Sequence, residues 1–578
     1  MKNQNPFILF SFLTGKRRIQ LFLILSLSII SSILEVFSVG AIIPLLTILV
    51  SGDKSDLIIQ LKNLITLIGL PSDSFAEIIF FTFVSLVIIS TFIRLLLIIT
   101  QTNLSYAIGA DLSWMTFQSS ISQKLDYHLN ENSSHLIGVV TSKTNQVVGK
   151  FILPTMLIVS SFLTLLFVCG FLFFLDPALL TLVIFIFSLT YFFSLWLTRK
   201  KLMNNSENID KRTNEVIKIV QEALGNIRDI ILYNDHKSYV SSFIKSDKKL
   251  RKAQSSSLIL SSFPRYIIEG VAVLIFALYI GYEGSWGSES QEKFQEIIPI
   301  LGALTLAALR ILPLVQQIYS SFTFIRSGRA IVDDVLQILF LPPRAKDETI
   351  KTRESAFKKE IILDEVTFGY ISRDSVIESL SLIIKKRQKV GILGETGSGK
   401  STIVDLIMGL LEPSKGKIFI DDKELNTISR TMIATLFSHV PQKIFLIDST
   451  IRENITLGKD QPIDESLIFK ILNTVQLADF ITELKDGLDT RVGEQGVQLS
   501  GGQAQRIGLA RALYRQSEIL VLDEATSAID DGTEKKILNA LRNNYPDLTI
   551  ISISHRSSSF NEFDRVLRID NGKIIDEK

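Results

Sequence analysis

Gly394-Glu395-Thr396-Gly397-Ser398-Gly399-Lys400-Ser401 decides the reading of this 578-residue chain. The stretch follows G-x-x-x-x-G-K-[ST], and each residue type in it has a physical task. Glycines let successive backbone N–H groups turn inward around an anion. Lys400 brings a positive charge for the β- and γ-phosphates of a nucleotide, and the Ser401 hydroxyl can ligate Mg²⁺. Val390-Gly391-Ile392-Leu393 reads as a buried strand leading into the loop. After it, Ile403, Leu406, Ile407 and Leu410 recur at helical spacing. A helix starting near Ser401 would aim the positive end of its dipole at the same phosphates. Thr402 follows directly and joins the loop residues as a candidate phosphate contact.

Two further stretches downstream belong with the loop. Ile519-Leu520-Val521-Leu522 is an apolar strand ending in Asp523 and Glu524. Asp523 can hold Mg²⁺, and Glu524 can orient or polarise an attacking water. Leu499-Ser500-Gly501-Gly502-Gln503 precedes a helical pattern over 504–514. The Ser500 hydroxyl and the backbone N–H groups of Gly501, Gly502 and Gln503 make a second anion site at a helix N-terminus. One nucleotide does not need two such sites, so the second is expected to serve the nucleotide of a facing partner. The rest of this half alternates strands and helices, which predicts an α/β core with parallel strands. Ile361-Ile362-Leu363 and Val366-Thr367-Phe368 read as an early strand pair, and residues 417–421 as another strand. Asn571-Gly572, between Val566-Leu567-Arg568-Ile569 and Ile574-Ile575, signals a hairpin.

Upstream the composition changes. A bilayer-spanning helix needs about 20 apolar residues. Six stretches qualify, near 19–50, 78–103, 151–175, 178–198, 258–282 and 297–325. Asp176-Pro177 reads as a tight turn between the third and fourth, and the first is long enough to tilt or project. Lys16-Arg17-Arg18 and the Lys/Arg clusters between residues 199 and 252 flank the spans on one side; the loop after the fifth carries Glu283, Glu289, Glu292 and Glu296 against Lys293. Positive loops stay inside, so both termini are expected in the cytoplasm. The polar stretches 104–150 and 199–257 read as cytoplasmic extensions of the helices, and residues 57–70 as a short amphipathic helix on the outer surface. The first apolar run lacks a small-residue cleavage site, so no cleavable signal is expected. Cys169 is the single cysteine, which excludes an intrachain disulfide and a cysteine-built metal site. The fold class is therefore a multidomain membrane protein. A six-helix all-α transmembrane domain (1–340) and a linker (341–360) lead to an α/β P-loop ATPase domain (361–578).

Charges inside the spans stand out: Glu35 in the first, Arg94 in the second, Arg265 and Glu269 in the fifth, Arg310 in the sixth. An arginine at mid-bilayer costs about 2.5–3.5 kcal/mol, so it faces a partner or a wet cavity. Arg265 and Glu269 are spaced to pair on one helical face, and Glu35 could also pair with an arginine. The alternative is that Arg94, Arg265 and Arg310 line a central cavity and attract an anionic head group. Charge reversal at Arg94 and Arg310 is then expected to abolish transport with folding intact.

LSGGQ with the phosphate loop and the strand-end acids at these separations resembles the ATP-binding cassette (ABC) family over essentially the whole chain. Six spans followed by one cassette resembles an exporter-type half-transporter. The resemblance implies roles for further residues. Tyr370 matches the aromatic that stacks on adenine. Gln442, in Val440-Pro441-Gln442, matches the residue that contacts Mg²⁺ and the membrane domain. Ser527-Ala528-Ile529-Asp530 matches the loop that ends in an aspartate, here Asp530, with Ile529 where leucine is usual. His555 matches the switch histidine near the γ-phosphate, and Gly493-Glu494-Gln495-Gly496 resembles the exporter-type loop before the signature. The family pattern further implies ATP and Mg²⁺ as ligands and a homodimer in which Lys400 of one copy and Ser500 of the other share a nucleotide. Helices near 118–129 and 222–233 are implied to couple the two halves. Glu35 with the following FSVGAIIPLL, Phe263-Pro264-Arg265 with Glu269-Gly270, and Leu309-Arg310 with Pro313 resemble bacterial lipid-linked oligosaccharide flippases. That narrower likeness implies an anionic amphipathic lipid as substrate, a cytoplasmic (inner) cell membrane location and no nucleic-acid partner. An exporter of drugs, peptides or other lipids, or an ATP-gated channel or regulatory ATPase, is the alternative; a mere sensor would not need Glu524.

Overall fold

The computed structural model describes residues 5–51, 58–60, 62, 75–175, 177–285, 290–342, 357–370, 375–457, 463–493, 496–556, 560 and 563–577. The chain divides into two compact units, Met1–Gln123 with His128–Pro343, and Lys124–Tyr127 with Arg344–Lys578.

Helices build the first unit: α1 (Gly15–Gly40), α2 (Ile42–Ser51), α3 (Phe75–Ile121), α4 (Leu153–Leu175), α5 (Pro177–Gly225), α6 (His236–Ser285), α7 (Ser290–Ser327) and α8 (Arg329–Leu339). The apolar stretches singled out in the sequence lie in these helices, the first divided between α1 and α2 at Ala41 and the third starting two residues ahead of α4. Among the described residues, 15–49, 75–121 and 133–174 are long and apolar enough to cross a membrane. α3, α5 and α6 hold 47, 49 and 50 residues. At 1.5 Å per residue each runs about 70–75 Å, more than twice a hydrocarbon core of about 30 Å. The polar stretches after the second span and around the fourth and fifth thus carry the helices onward, with breaks at 122–124, 131–132, Asn226 and 234–235. Of the proposed outer helix, residues 58–60 and 62 are helical and the remainder lies outside the described residues. So do Asp176, Glu289, most of the 341–360 linker, and Glu494 and Gln495.

Between α3 and α4 the backbone tightens and loosens. Val139–Lys143 and Val148–Ile152 are π-helical turns. Lys143 is 1% exposed; it pairs with Asp334 on α8 and lies 2.6 Å from Asp210 on α5. That ion cluster ties three elements together where Val147, Val148, Phe151 and Ile152 meet Val332 and Leu336 in one apolar core.

Two sheets organise the second unit. β1 (Glu360–Phe368) sits between β2 (Ile377–Lys385) and β4 (Lys415–Ile420), with β5 (Lys423–Glu424) at the edge, all antiparallel. The expected early pair is a single strand: Glu365 takes φ +45° and shifts the register between Leu363 and Val366, so both apolar triplets stay in β1. The second sheet runs β10-β9-β3-β8-β7-β6. Its strands are β3 (Lys389–Gly394), β6 (Phe437–Val440), β7 (Ile519–Asp523), β8 (Thr549–Ile553), β9 (Arg565–Asp570) and β10 (Lys573–Glu577). All neighbours pair parallel except β9 and β10. That hairpin turns at Asn571 and Gly572, both at positive φ, which suits the right-handed twist of the strands. β7 and β8 are buried on both faces, as the apolar runs require. Helices α9 (Lys400–Ile407), α10 (Gly501–Tyr514) and α11 (Asp531–Asn544) complete the parts that carry the site. Lys124–Tyr127 belongs to this unit as well: Leu125 packs on its core and Lys124 Nζ reaches Glu412 at 2.8 Å.

Candidate functional site

β3 delivers the chain to the phosphate loop, and α9 carries it away. Gly397 and Gly399 take φ +85° and +98°, which side chains rarely adopt. Gly399 caps α9, so the first free N–H groups of that helix face the loop. Lys400 is buried and donates to the carbonyls of Gly394 (2.9 Å) and Glu395 (2.7 Å), which folds its ammonium back under the loop. Burial pushes its pKa down, against the opposing charges of Glu524 and Asp523. The Ser398 hydroxyl is buried with no hydrogen-bond partner. An orphaned donor, inward N–H groups and a buried ammonium fit a polyphosphate.

The Ser401 hydroxyl lies 3.4 Å from Asp523 Oδ1 at the end of β7. Burial raises the Asp523 pKa. A hydroxyl and a desolvated carboxylate this close suit Mg²⁺, which favours hard oxygen ligands. Glu524 follows at φ +49°, its N–H donating to Ile553 O (3.1 Å) across to β8. Its carboxylate is shared: Gln442 Nε2 reaches Oε2 at 2.5 Å and His555 Nε2 lies 2.7 Å from Oε1. Gln442 therefore touches Glu524 rather than Ser401 or Asp523. Tyr370 is fixed by an edge-on contact with Phe368 (5.1 Å between centroids) and by its hydroxyl 3.2 Å from Thr402 Oγ1.

The signature makes a separate turn. Ser500 N-caps α10 in a reciprocal box: its hydroxyl accepts from Gln503 N (3.2 Å), and Gln503 Oε1 accepts from Ser500 N (2.8 Å). A Cβ on Gly502 would lie 2.9 Å from Ala528 O, so only glycine fits that approach. Among the described residues, no hydrogen bond or ion pair joins Ser500–Gln503 to the phosphate loop. Asp530 N-caps α11 by accepting from Thr533 N (2.9 Å), away from the loop.

Two residues went unnoticed in the sequence. Gln505, buried on α10, donates to Ser527 Oγ (3.0 Å) and accepts from Ala528 N (2.9 Å). It locks the Ser527–Asp530 loop to the signature helix; the signal was a polar residue on an otherwise apolar face. Asp405, on α9, is pushed up to about 6 from 3.8 by burial and then by Asp523. Its folded pKa exceeds the unfolded one, so the stability present below about pH 4 is lost as pH rises through about 6. In nucleotide- and Mg²⁺-free protein, Asp405→Asn is expected to stabilise at pH 8 by on the order of 2–3 kcal/mol and not at pH 4. Thermal unfolding across that range checks it; parallel pH profiles for the two proteins would refute it.

In the first unit, Glu35 is 3% exposed. Arg310 Nε lies 3.1 Å from Oε1, Arg94 3.6 Å from the same oxygen, and Ser90 donates to Oε2 at 3.2 Å. Arg94 is still 46% exposed and borders a cavity of about 100 Å³ whose wall includes Gln101, Ser160, Ser161, Thr164 and Gln317. Gln101 Nε2 is buried there without a partner. Arg265 does not join this cluster; it pairs with Glu269 at 2.6 Å. Charge reversal at Arg310 would set a second negative charge against the buried Glu35, so a loss of stability is expected beside any loss of transport.

A nucleotide-hydrolysing α/β domain joined to membrane-length helices is the plan of an ATP-driven membrane transporter. The family model described as "ABC transporter" matches residues 377–527, and "ABC transporter transmembrane region" matches residues 21–309. The chain belongs to the ABC transporter family, on its exporter side, and couples hydrolysis of ATP, with Mg²⁺, to transport. It is 28% identical to a β-(1→2)glucan export ATP-binding/permease protein of Agrobacterium vitis over 82% of this chain and 80% of that one. It is 29% identical to an ATP-dependent lipid A-core flippase of Yersinia pestis over 66% and 65%. A bacterial Atm1-family ABC exporter with ATP bound shares the fold, with TM-score 0.78 at 21% identity over 97% of this chain and 94% of that one.

Proposed function

We propose that the protein works as a homodimer in the cytoplasmic membrane, with its termini and ATPase domain inside. Its cargo is an amphipathic lipid with an anionic, pyrophosphate-bearing head of the lipid-linked oligosaccharide type, flipped to the outer leaflet. The Glu35–Arg94–Arg310 cluster carries this reading. Two guanidinium groups on one carboxylate leave a positive excess beside a wall of hydroxyls and amides. Such a combination inside hydrocarbon is retained for a charged cargo or its path. Relatives named for a lipid A-core flippase and a glucan exporter support a glycolipid.

The dimer accounts for two otherwise idle features. Ser500 and its neighbouring N–H groups form an anion site that does not meet the phosphate loop of their own chain. Ile231, Leu232 and Tyr233, in the helix Ile227–Tyr233, are more than half exposed although they lie in a polar stretch, as a face covered by a second copy would be.

Within each composite site, Lys400 and the loop N–H groups would hold the phosphates, and Ser401 and Asp523 would hold the metal. Mg²⁺ supplies neutralisation of phosphate charge. Glu524 orients water and takes its proton; His555 and Gln442 fix the Glu524 carboxylate in place. In proteoliposomes, polyprenyl-pyrophosphate lipids are expected to stimulate ATPase activity and to become accessible on the opposite leaflet. Arg94→Glu should abolish that transfer and keep basal hydrolysis. Stimulation by apolar drugs with none by these lipids would refute the substrate.

A further inference from the structure

Between α5 and α6, just beyond the apolar part of each helix, lies a groove of about 660 Å³. Lys201 and Arg212 enter from α5; Lys249 and Lys252 enter from α6. No carboxylate is among its described lining residues. Glu215, beside the groove, accepts from Arg212 and offsets one charge, which leaves a clear positive excess. The floor is built, not open: Asn205 is 8% exposed and donates to Ser257 at 3.3 Å. One end turns apolar at Ile259 and Leu260, where the fifth apolar stretch begins.

Four cations gathered from two helices repel one another unless water or an anion lies between them. The volume suits a ligand of some tens of atoms. A cationic pocket that grades into apolar wall at the edge of a membrane has the chemistry of a phosphate-bearing lipid head with the root of its acyl chains. We infer that this groove is a binding site for an anionic phospholipid head group, sharing no lining residue with the Arg94 cavity and independent of which substrate is moved.

The test is lipid retention by the full chain in neutral detergent, read by native mass spectrometry during titration with phosphatidylglycerol or phosphatidylcholine. The wild type is expected to hold phosphatidylglycerol in preference to phosphatidylcholine. Each juxtamembrane lysine contributes about fivefold, so Lys249→Gln/Lys252→Gln should weaken that binding about thirtyfold. Lys200→Gln/Lys248→Gln removes the same charge from neighbouring positions outside the groove and should change it less than threefold. Equal loss in both variants would mean that general positive charge, not the groove, attracts the lipid, and would overturn the site. Equal retention of the two lipids, or millimolar inorganic phosphate binding the groove while phosphatidylglycerol does not compete, would overturn it as well. An unfolding midpoint within two degrees or so of wild type for both variants keeps the comparison sound.

Discussion

Glu524→Gln is expected to slow ATP hydrolysis by about 10²–10⁴-fold while nucleotide stays bound, the range for loss of a positioned proton acceptor. The geometry makes this a clean substitution. Glu524 directly follows a strand buried on both faces, and its backbone is pinned to Ile553. Its two carboxylate oxygens are separately engaged by Gln442 and His555. The amide keeps the size, the backbone and part of that hydrogen bonding, and removes the negative charge. Single-turnover phosphate release, measured beside retention of labelled nucleotide, separates the two effects. Release at the wild-type rate would remove Glu524 from its proposed role. A loss of retention would instead mean that the residue serves binding.

Arg310→Ala is expected to be the more damaging of the two arginine substitutions, and through stability. Removing one partner of a buried pair leaves an uncompensated charge and costs about 3–5 kcal/mol. Glu35 keeps only Ser90 and a more distant Arg94 in that variant. Glu35→Gln/Arg310→Gln removes both charges and should recover most of the loss. Arg94→Ala, at a half-exposed guanidinium 3.6 Å away, should shift unfolding far less. Unfolding midpoints of the detergent-solubilised variants decide this. If the double substitution is as unstable as Arg310→Ala, the pair is not what holds these helices.

The features legible in the sequence are those made by neighbouring residues. The phosphate loop, the Ser500–Gln503 cap and the Asn571-Gly572 turn each depend on backbone chemistry within a few positions, so spacing alone reveals them. The long helices were legible because apolar length has few other uses. What stayed hidden depends on residues far apart. Glu35 meets Ser90, Arg94 and Arg310 only once α1, α3 and α7 pack together. Lys143 looked like one more basic residue in a polar stretch, yet it is closed off between Asp210 and Asp334. The division of β1 into two strands misread a bulge as a turn, because a left-handed Glu365 leaves no mark in composition.

The π turns at Val139–Lys143 and Val148–Ile152 alter what any position-by-position comparison of α4 can mean. A π turn accommodates one extra residue, and a residue advances the helix by about 100°. Two such insertions rotate everything downstream by about 200°, close to half a revolution. A relative with plain α-helix over this stretch, aligned without gaps, would have its lipid-facing and bundle-facing residues exchanged from Leu153 onward. Mutational maps of cargo contacts can be carried between such proteins only after the two added residues are taken out of the register.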